Sequence, residues 1–361
     1  MVVTLLSTEE ILDPDLEIVD AHHHLWPSTG AAVSLPPGPG QRAQQGAQLA
    51  HCPPYSLDDL CADATSGHRV VESVYIECSS FYRNDGPEHL RPVGESETVA
   101  ALAAGGGLCA GIVGFADLML GTGVGEALDA HVAAAGPRFR GIRHTVAWDP
   151  DPDVYANFRH PPAGLLGDPR FLAGAAELVT RELSFETWLY FHQLPELAEF
   201  AAARPDLTIV LDHLGGPAAT GRHAGVRDEV LTAWRSGLIE VSRQPNVVLK
   251  LGAVGMRAFS GSDLFALPEV TAGDIVDYWG SDIRFCIDTF GPDRCMFESN
   301  FPVDRTLCDY TTLWNAFKGI ASGYSRSEKD MLFAGTARAA YRLPVRERTS
   351  LADGTLDRAS P

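Results

Sequence analysis

The run Val19-Asp20-Ala21-His22-His23-His24-Leu25-Trp26 sets three imidazoles beside an acid at the end of an apolar stretch. Side chains alternate along a strand, so Asp20, His22 and His24 fall on one side and His23 on the other. His22 and His24 then converge on a single point. A second candidate is Arg143-His144, where Arg143 would serve as a fixed cation and His144 as donor or base toward an anionic or carbonyl oxygen. The competing role for Arg143 is an ion pair with an acid such as Glu77. An apolar run from Ile209 ends abruptly in Asp212-His213-Leu214-Gly215-Gly216-Pro217, which makes His213 the strongest single candidate after the His22/His24 pair. Two further polar ends are Phe191-His192-Gln193 and the series Glu298-Ser299-Asn300-Phe301-Pro302-Val303-Asp304-Arg305.

These residues need elements to hold them. Short apolar, β-branched runs at 18–23, 70–78, 110–116, 139–144, 184–191, 208–212, 247–251 and 295–298 alternate with amphipathic or Ala-rich stretches. The pattern is that of repeated βα units around a parallel sheet. Helices are predicted at 195–203, 227–243 and 271–290, with a last helical region at 313–341 broken near Gly323. Eight strand-then-helix units predict a (β/α)₈ TIM barrel, in which chemistry sits where strands end at the carboxyl edge. Residues 1–343 would form this one domain. The surplus length falls in a Pro/Gly-rich loop after the first strand, 27–55, placed where a lid or a plain surface excursion would be, and in a frayed tail, 344–361.

The chain has 361 residues with 28 Lys+Arg against 47 Asp+Glu, a formal charge of −19, which argues against nucleic acid and anionic membrane surfaces as partners. At 45% hydrophobic and 21% charged residues the composition is that of a globular protein with a full core. Seven scattered cysteines without a CxxC pair read as reduced thiols, so a cytoplasmic location is expected. A small-molecule substrate is the expected partner, with a homodimer left open.

The order Asp20, His22, His24 and Trp26, then Leu194-Pro195-Glu196-Leu197, then Val210 to Pro217, then Asn246 to Gly252 and Phe290 to Val303 resembles the amidohydrolase-related (amidohydrolase 2) barrels. It is most similar to their fuconolactonase-like branch of metal-dependent hydrolases. The resemblance spans roughly Ile18 to Leu343. It implies a site in which an HxH pair, a fifth-strand His, a sixth-strand His and an eighth-strand Asp surround one divalent metal, with zinc the leading identity, or form a metal-free lactone site. His22, His24 and His213 match as ligands. Where relatives carry the fifth-strand histidine this chain has Phe191, with His192 adjacent and facing the other way unless a bulge re-aims it. Asn300 stands where Asp is expected, and an amide cannot take a proton at neutral pH.

The reading that follows is a hydrolase opening a cyclic ester of a sugar-acid or aromatic-degradation substrate. Water would be activated by the metal or by a rim acid, with Glu77, Asp288 and Asp304 as the alternatives. Arg143 and His144 would hold the oxyanion or a substrate carboxylate, and Asn300 would bind metal or substrate. Glu298 would steady a histidine or an arginine, and Asp212 and Asp20 would orient neighbouring groups. Trp26, Tyr82, Trp148, His192 and Phe301, with Glu77, would line the substrate pocket, and Arg83, Arg143 and Arg305 would give it a local positive field. Two rivals remain open. One is a metal-dependent, non-hydrolytic decarboxylase on the same barrel, and the other a catalytically inert binding protein; both draw on Asn300.

Overall fold

The computed structural model describes residues 10–26, 54–104, 106–154, 161–261 and 263–344. Most of the expected 27–55 loop and nearly all of the 344–361 tail therefore lie outside the described residues. Eight parallel strands follow one another in sequence order: β1 (Glu17–His23), β2 (Arg69–Ile76), β3 (Gly111–Gly114), β4 (Phe139–Arg143), β5 (Ser184–Thr187), β6 (Ile209–Leu211), β7 (Val247–Leu251) and β8 (Cys295–Phe297). The ring closes just beyond β8, where His23 bridges Phe301, Asn300 N donates to His22 O at 2.9 Å and His24 N donates to Phe301 O at 2.7 Å. The fold is the (β/α)₈ barrel that the strand pattern predicts.

Helices α1 (Leu57–Ala64), α2 (Val93–Leu102), α3 (Gly125–Ala135), α4 (Pro169–Val179), α5 (Leu194–Ala202), α6 (Arg227–Ser242), α7 (Ala272–Phe290) and α8 (Tyr310–Ile320) alternate with the strands. Their starts are chemically marked. Ser56 with Asp59 and Thr271 with Asp274 form reciprocal capping boxes, and Asp168 caps α4 just before Pro169. The predicted break near Gly323 is a 3₁₀ turn, Ala321–Gly323, after which Ser325 caps a new helix that runs on through residue 340. Among the described residues no helix is long and apolar enough to cross a membrane.

Period two divides the strand side chains between two layers. Ile18, Tyr75, Ile142, Phe185, Leu211, Leu249 and Phe297 pack outward against the helices. Val19, Ala21, Val74, Val113, Val210 and Met296 face inward, where Ala337, Tyr341 and Leu343 from the C-terminal segment plug the barrel floor. Above that apolar floor the inward residues become charged, and this second layer is where the site begins.

Candidate active site

β1 does not keep a simple alternation. Its pairing with β2 shifts register between Asp20 and His23. Asp20 therefore leaves the histidine side predicted for it and faces outward, accepting from Ser299 N (2.8 Å), Ser299 Oγ (2.6 Å) and Tyr310 OH (3.0 Å). His22 and His24 stay together at the mouth, with their Nε2 atoms 3.2 Å apart. The His213 ring centre lies 4.7 Å from that of His22.

Each of these three imidazoles is engaged at Nδ1. His24 Nδ1 donates to Ile76 O at 2.8 Å. Glu298, one residue past β8, places Oε1 2.8 Å from His213 Nδ1 and Oε2 2.9 Å from His22 Nδ1. Arg143 Nη1, which can only donate, stands 3.3 Å from His22 Nε2 and so requires a lone pair there. Acceptors at Nδ1 thereby fix the protons of His24 and His213 there and leave their Nε2 lone pairs for a ligand, while His22 has the Arg143 guanidinium beside Nε2 and both Glu298 Oε2 and the Lys250 ammonium beside Nδ1. Burial, then Lys250, holds the His22 pKa well below its ordinary value, and burial, then Arg143, does the same for His24. Burial raises Glu298, but His213 and His22 outweigh it and keep the carboxyl well below the usual range. Gly252 makes this possible, because a Cβ there would overlap Glu298 Cγ and O.

Under the histidines lie groups that the sequence reading passed over as site residues or gave only an orienting role. Lys250, fully buried, projects from β7 to 2.7 Å from Glu186 Oε1, 3.2 Å from Asp212 Oδ1, 3.9 Å from Glu298 Oε2 and 3.0 Å from His22 Nδ1. The other Glu186 oxygen accepts from Tyr341 OH at 2.6 Å. Arg143 Nε pairs with Glu77 Oε1 at 3.2 Å, its Nη2 donates to Glu77 O, and its Nη1 lies 3.8 Å from Asp212 Oδ2. The ion pair with Glu77 is thus present, and the same guanidinium still reaches the histidines. Neither Asp212 oxygen accepts a well-formed hydrogen bond although the residue is fully buried.

One ligand atom each from His22, Asp212 and His213 fall within 4.8 Å of one another. Four buried carboxyl groups (Glu77, Glu186, Asp212, Glu298) face two cations (Lys250, Arg143), so acidic groups outnumber basic ones in this layer. Glu186 shows the strain of this imbalance: burial, then Asp212, raises its carboxyl to about 8. Converging imidazole nitrogens, a buried Asp212 carboxylate without a well-formed hydrogen bond and an excess of acidic over basic groups fit one divalent cation.

Several predicted site residues are placed elsewhere. His144 lies one position past inward-facing Arg143 and points out of the barrel, packed between Phe115 and Phe171 at ring distances of 5.4 and 5.2 Å, with Nδ1 accepting from Leu118 N. It does not share the mouth with Arg143. β5 ends at Thr187 and not near Phe191, so His192 sits on a separate 3₁₀ turn. There it donates from Nε2 to Trp148 O at 3.0 Å and joins a second cluster with Asp149 and His223. Arg222, 3.1 Å from Asp149, already supplies the cation of that cluster. Phe301 is wholly buried against Tyr310 and Tyr55, in the core and not on a pocket wall. Asn300 Nδ2 donates to Asp304 Oδ1, and Asp304 also accepts from Gly255 N, so both are committed within the rim.

Trp26 stacks on His24 at 6.3 Å, at the edge of the cluster, and Tyr82 is half-buried in the segment after β2. Asp288 is exposed on α7, where it accepts from Tyr324 OH. Arg83 pairs with Glu97 and Arg305 lies over Tyr55, both exposed, so the expected positive field reduces to Arg143 within an acidic pocket. Period two held the missed signal: Lys250 stands between outward-facing Leu249 and Leu251, and Glu186 follows outward-facing Phe185, so both must face the barrel axis.

Imidazoles, carboxylates and a guanidinium gathered at the carboxyl ends of parallel strands define a (β/α)₈-barrel enzyme. The chain belongs to the amidohydrolase family, whose sequence profile matches residues 19–343, and is a hydrolase of that family. It is 32% identical over 331 residues to the protein y4mH of Sinorhizobium fredii, covering 91% of this chain and 99% of that one. It is 28% identical over 215 residues to an L-fucono-1,5-lactonase of Burkholderia multivorans, covering 58% of this chain and 64% of the lactonase. In structure it is similar to a Burkholderia multivorans amidohydrolase with bound zinc, with a TM-score of 0.69, 26% identity, and coverage of 91% of this chain and 99% of that one.

Proposed function

We propose that the protein opens a cyclic ester, a sugar-acid lactone, by adding water across the ring C–O bond, with one divalent ion held at His22, His24 and His213. The observation that carries this reading is the anchoring of His24 Nδ1 to Ile76 O and of His213 Nδ1 to Glu298 Oε1, with the other Glu298 oxygen 2.9 Å from His22 Nδ1. Similarity to a lactonase supports the substrate class. When bound, such an ion acts as a Lewis acid and lowers the pKa of water; zinc suits a histidine set of this kind.

The rest falls to the chain. Arg143, locked by Glu77, aims Nη1 at the cluster and receives the negative charge that develops on the carbonyl oxygen. Asp212, held ionised by Lys250, His213 and Arg143 against the opposing effect of burial, takes the proton of the attacking water and returns it to the leaving ring oxygen. This gives the site a base that Asn300 cannot be. Burial of the imidazoles and Asp212, with the Arg143 side chain only 12% exposed, excludes bulk water, which strengthens each charge.

The test is elemental analysis of protein purified without added metal, joined to a pH-indicator screen of γ- and δ-lactones. One equivalent of metal and saturable acid release that both vanish in His213→Ala are the expected results. Release of carbon dioxide without uptake of water would replace lactone opening by decarboxylation, and inertness toward every lactone would favour a binding protein.

A further inference from the structure

Three carboxylates, Glu186 from β5, Asp212 from the end of β6 and Glu298 from the end of β8, converge inside the barrel on one point. Such a convergence of buried acids is the donor set of a hard divalent cation. The point is already filled, because the Lys250 ammonium stands 2.7, 3.2 and 3.9 Å from the three carboxylates. It arrives from β7, the strand between β6 and β8, through a stem sealed at 0% exposure. Tyr341 closes the far side, with its hydroxyl on Glu186 and its ring centre 5.7 Å from Nζ.

We propose that Lys250 is a positioning residue that serves as a built-in cation: its ammonium occupies a second cation position beneath the histidines and limits the barrel to one exchangeable metal ion. The proposal rests on the reading of an ion at His22, His24 and His213 for its count of one, but the claim about the carboxylate cage stands separately. A tethered +1 charge holds the three acids together at fixed spacing. Acidic groups still outnumber basic ones around it, Glu77, Glu186, Asp212 and Glu298 against Lys250 and Arg143, which favours one divalent cation above. A second divalent ion in the same cage would have to displace an ammonium held 2.7 Å from Glu186 and 3.2 Å from Asp212.

The experiment counts ions. Wild type, Lys250→Ala, Lys250→Arg, His213→Ala and the double variant His213→Ala/Lys250→Ala are loaded with excess Mn²⁺, desalted, and read by elemental analysis and electron paramagnetic resonance. Wild type and Lys250→Arg should carry one ion with an isolated six-line spectrum. Lys250→Ala should carry two with an exchange-broadened spectrum, His213→Ala none, and the double variant one. One ion in Lys250→Ala together with none in the double variant overturns the cage while leaving the histidine site intact. No ion in wild type but one in Lys250→Ala overturns the histidine site and leaves the cage standing. Should Lys250→Ala fail to fold, a coupled pair of ions in the wild-type spectrum would by itself sink the proposal, and a single isolated ion at saturating Mn²⁺ would support it.

Discussion

Asn300 and Asp304 form a closed pair at the rim: the amide donates through Nδ2 to Oδ1 of a wholly buried carboxyl, 2.8 Å away. Burial pushes Asp304 well above the ordinary carboxylate range, although Gly255 N and the Asn300 amide both oppose that rise. An acid at position 300 would face an acid that is already hard to ionise. Asn300→Asp should therefore lower stability by about 1–3 kcal/mol. Asp304→Asn in the same chain should recover part of that loss. Denaturant titrations of the four proteins measure the coupling, and an Asn300→Asp protein as stable as wild type would remove the pair's structural role.

Glu298 steadies two imidazoles with one carboxylate. Glu298→Gln keeps the volume but has only one acceptor oxygen, so at least one ring loses its partner. Metal affinity should fall about 10–100-fold, the usual effect of losing such a partner. Competition against a chromogenic chelator reads this directly. Gly252→Ala should act in the same direction, since the new methyl must push Glu298 aside.

His144 offers a contrast with Arg143, its neighbour in sequence. Its ring packs outside the barrel and accepts from Leu118 N. His144→Ala should cost about 2 kcal/mol of stability through a lost contact and an orphaned donor. It should leave kcat/KM on a lactone within about threefold, whereas Arg143→Lys should lower it by about 10²-fold or more. A comparable loss in both variants would return His144 to the mouth.

His131 makes stability depend on pH far from the site. It is fully buried, bonded to Ser96 Oγ and Phe115 O, and burial lowers its pKa from 6.5 to about 4. An unfolded chain takes up this proton near pH 6.5, but the folded chain does so only near pH 4. The contribution is therefore complete above pH 6.5 and is lost as pH falls toward 4, by about 3 kcal/mol at most. His131→Gln should flatten the stability curve across that window. An unchanged slope would show that His131 is not the group responsible.

The barrel was legible because its strands are apolar runs of the right length with helices between them, and six of the eight runs contain the strand found there, while β1 and β2 each begin one residue earlier. Boundaries slipped where apolar residues followed a strand without a break, as when Trp188-Leu189-Tyr190-Phe191 prolonged the 184–191 run beyond Thr187, where β5 ends, and His192 fell on a separate turn. Among the candidate residues, His22, His24 and His213 declared themselves by chemical type at strand ends. Asp20 was misplaced by one register shift, which spacing alone does not reveal. Lys250 and Glu186 were harder to see, since a charge inside an apolar strand reads as an interruption until its flanking leucine or phenylalanine fixes which way it faces, whereas Glu298 beyond β8 was read correctly as steadying a histidine.

The hydroxyl of Tyr341 on Glu186 ties the last helix to the charged layer. Residue 341 leaves the ribosome after all eight strands, so a nascent barrel can complete its sheet while Glu186 and Lys250 still open onto water from below. Docking of that final segment seals the chamber. A chain shortened before Tyr341 would retain every imidazole yet leave Glu186 and Lys250 beneath them open to water.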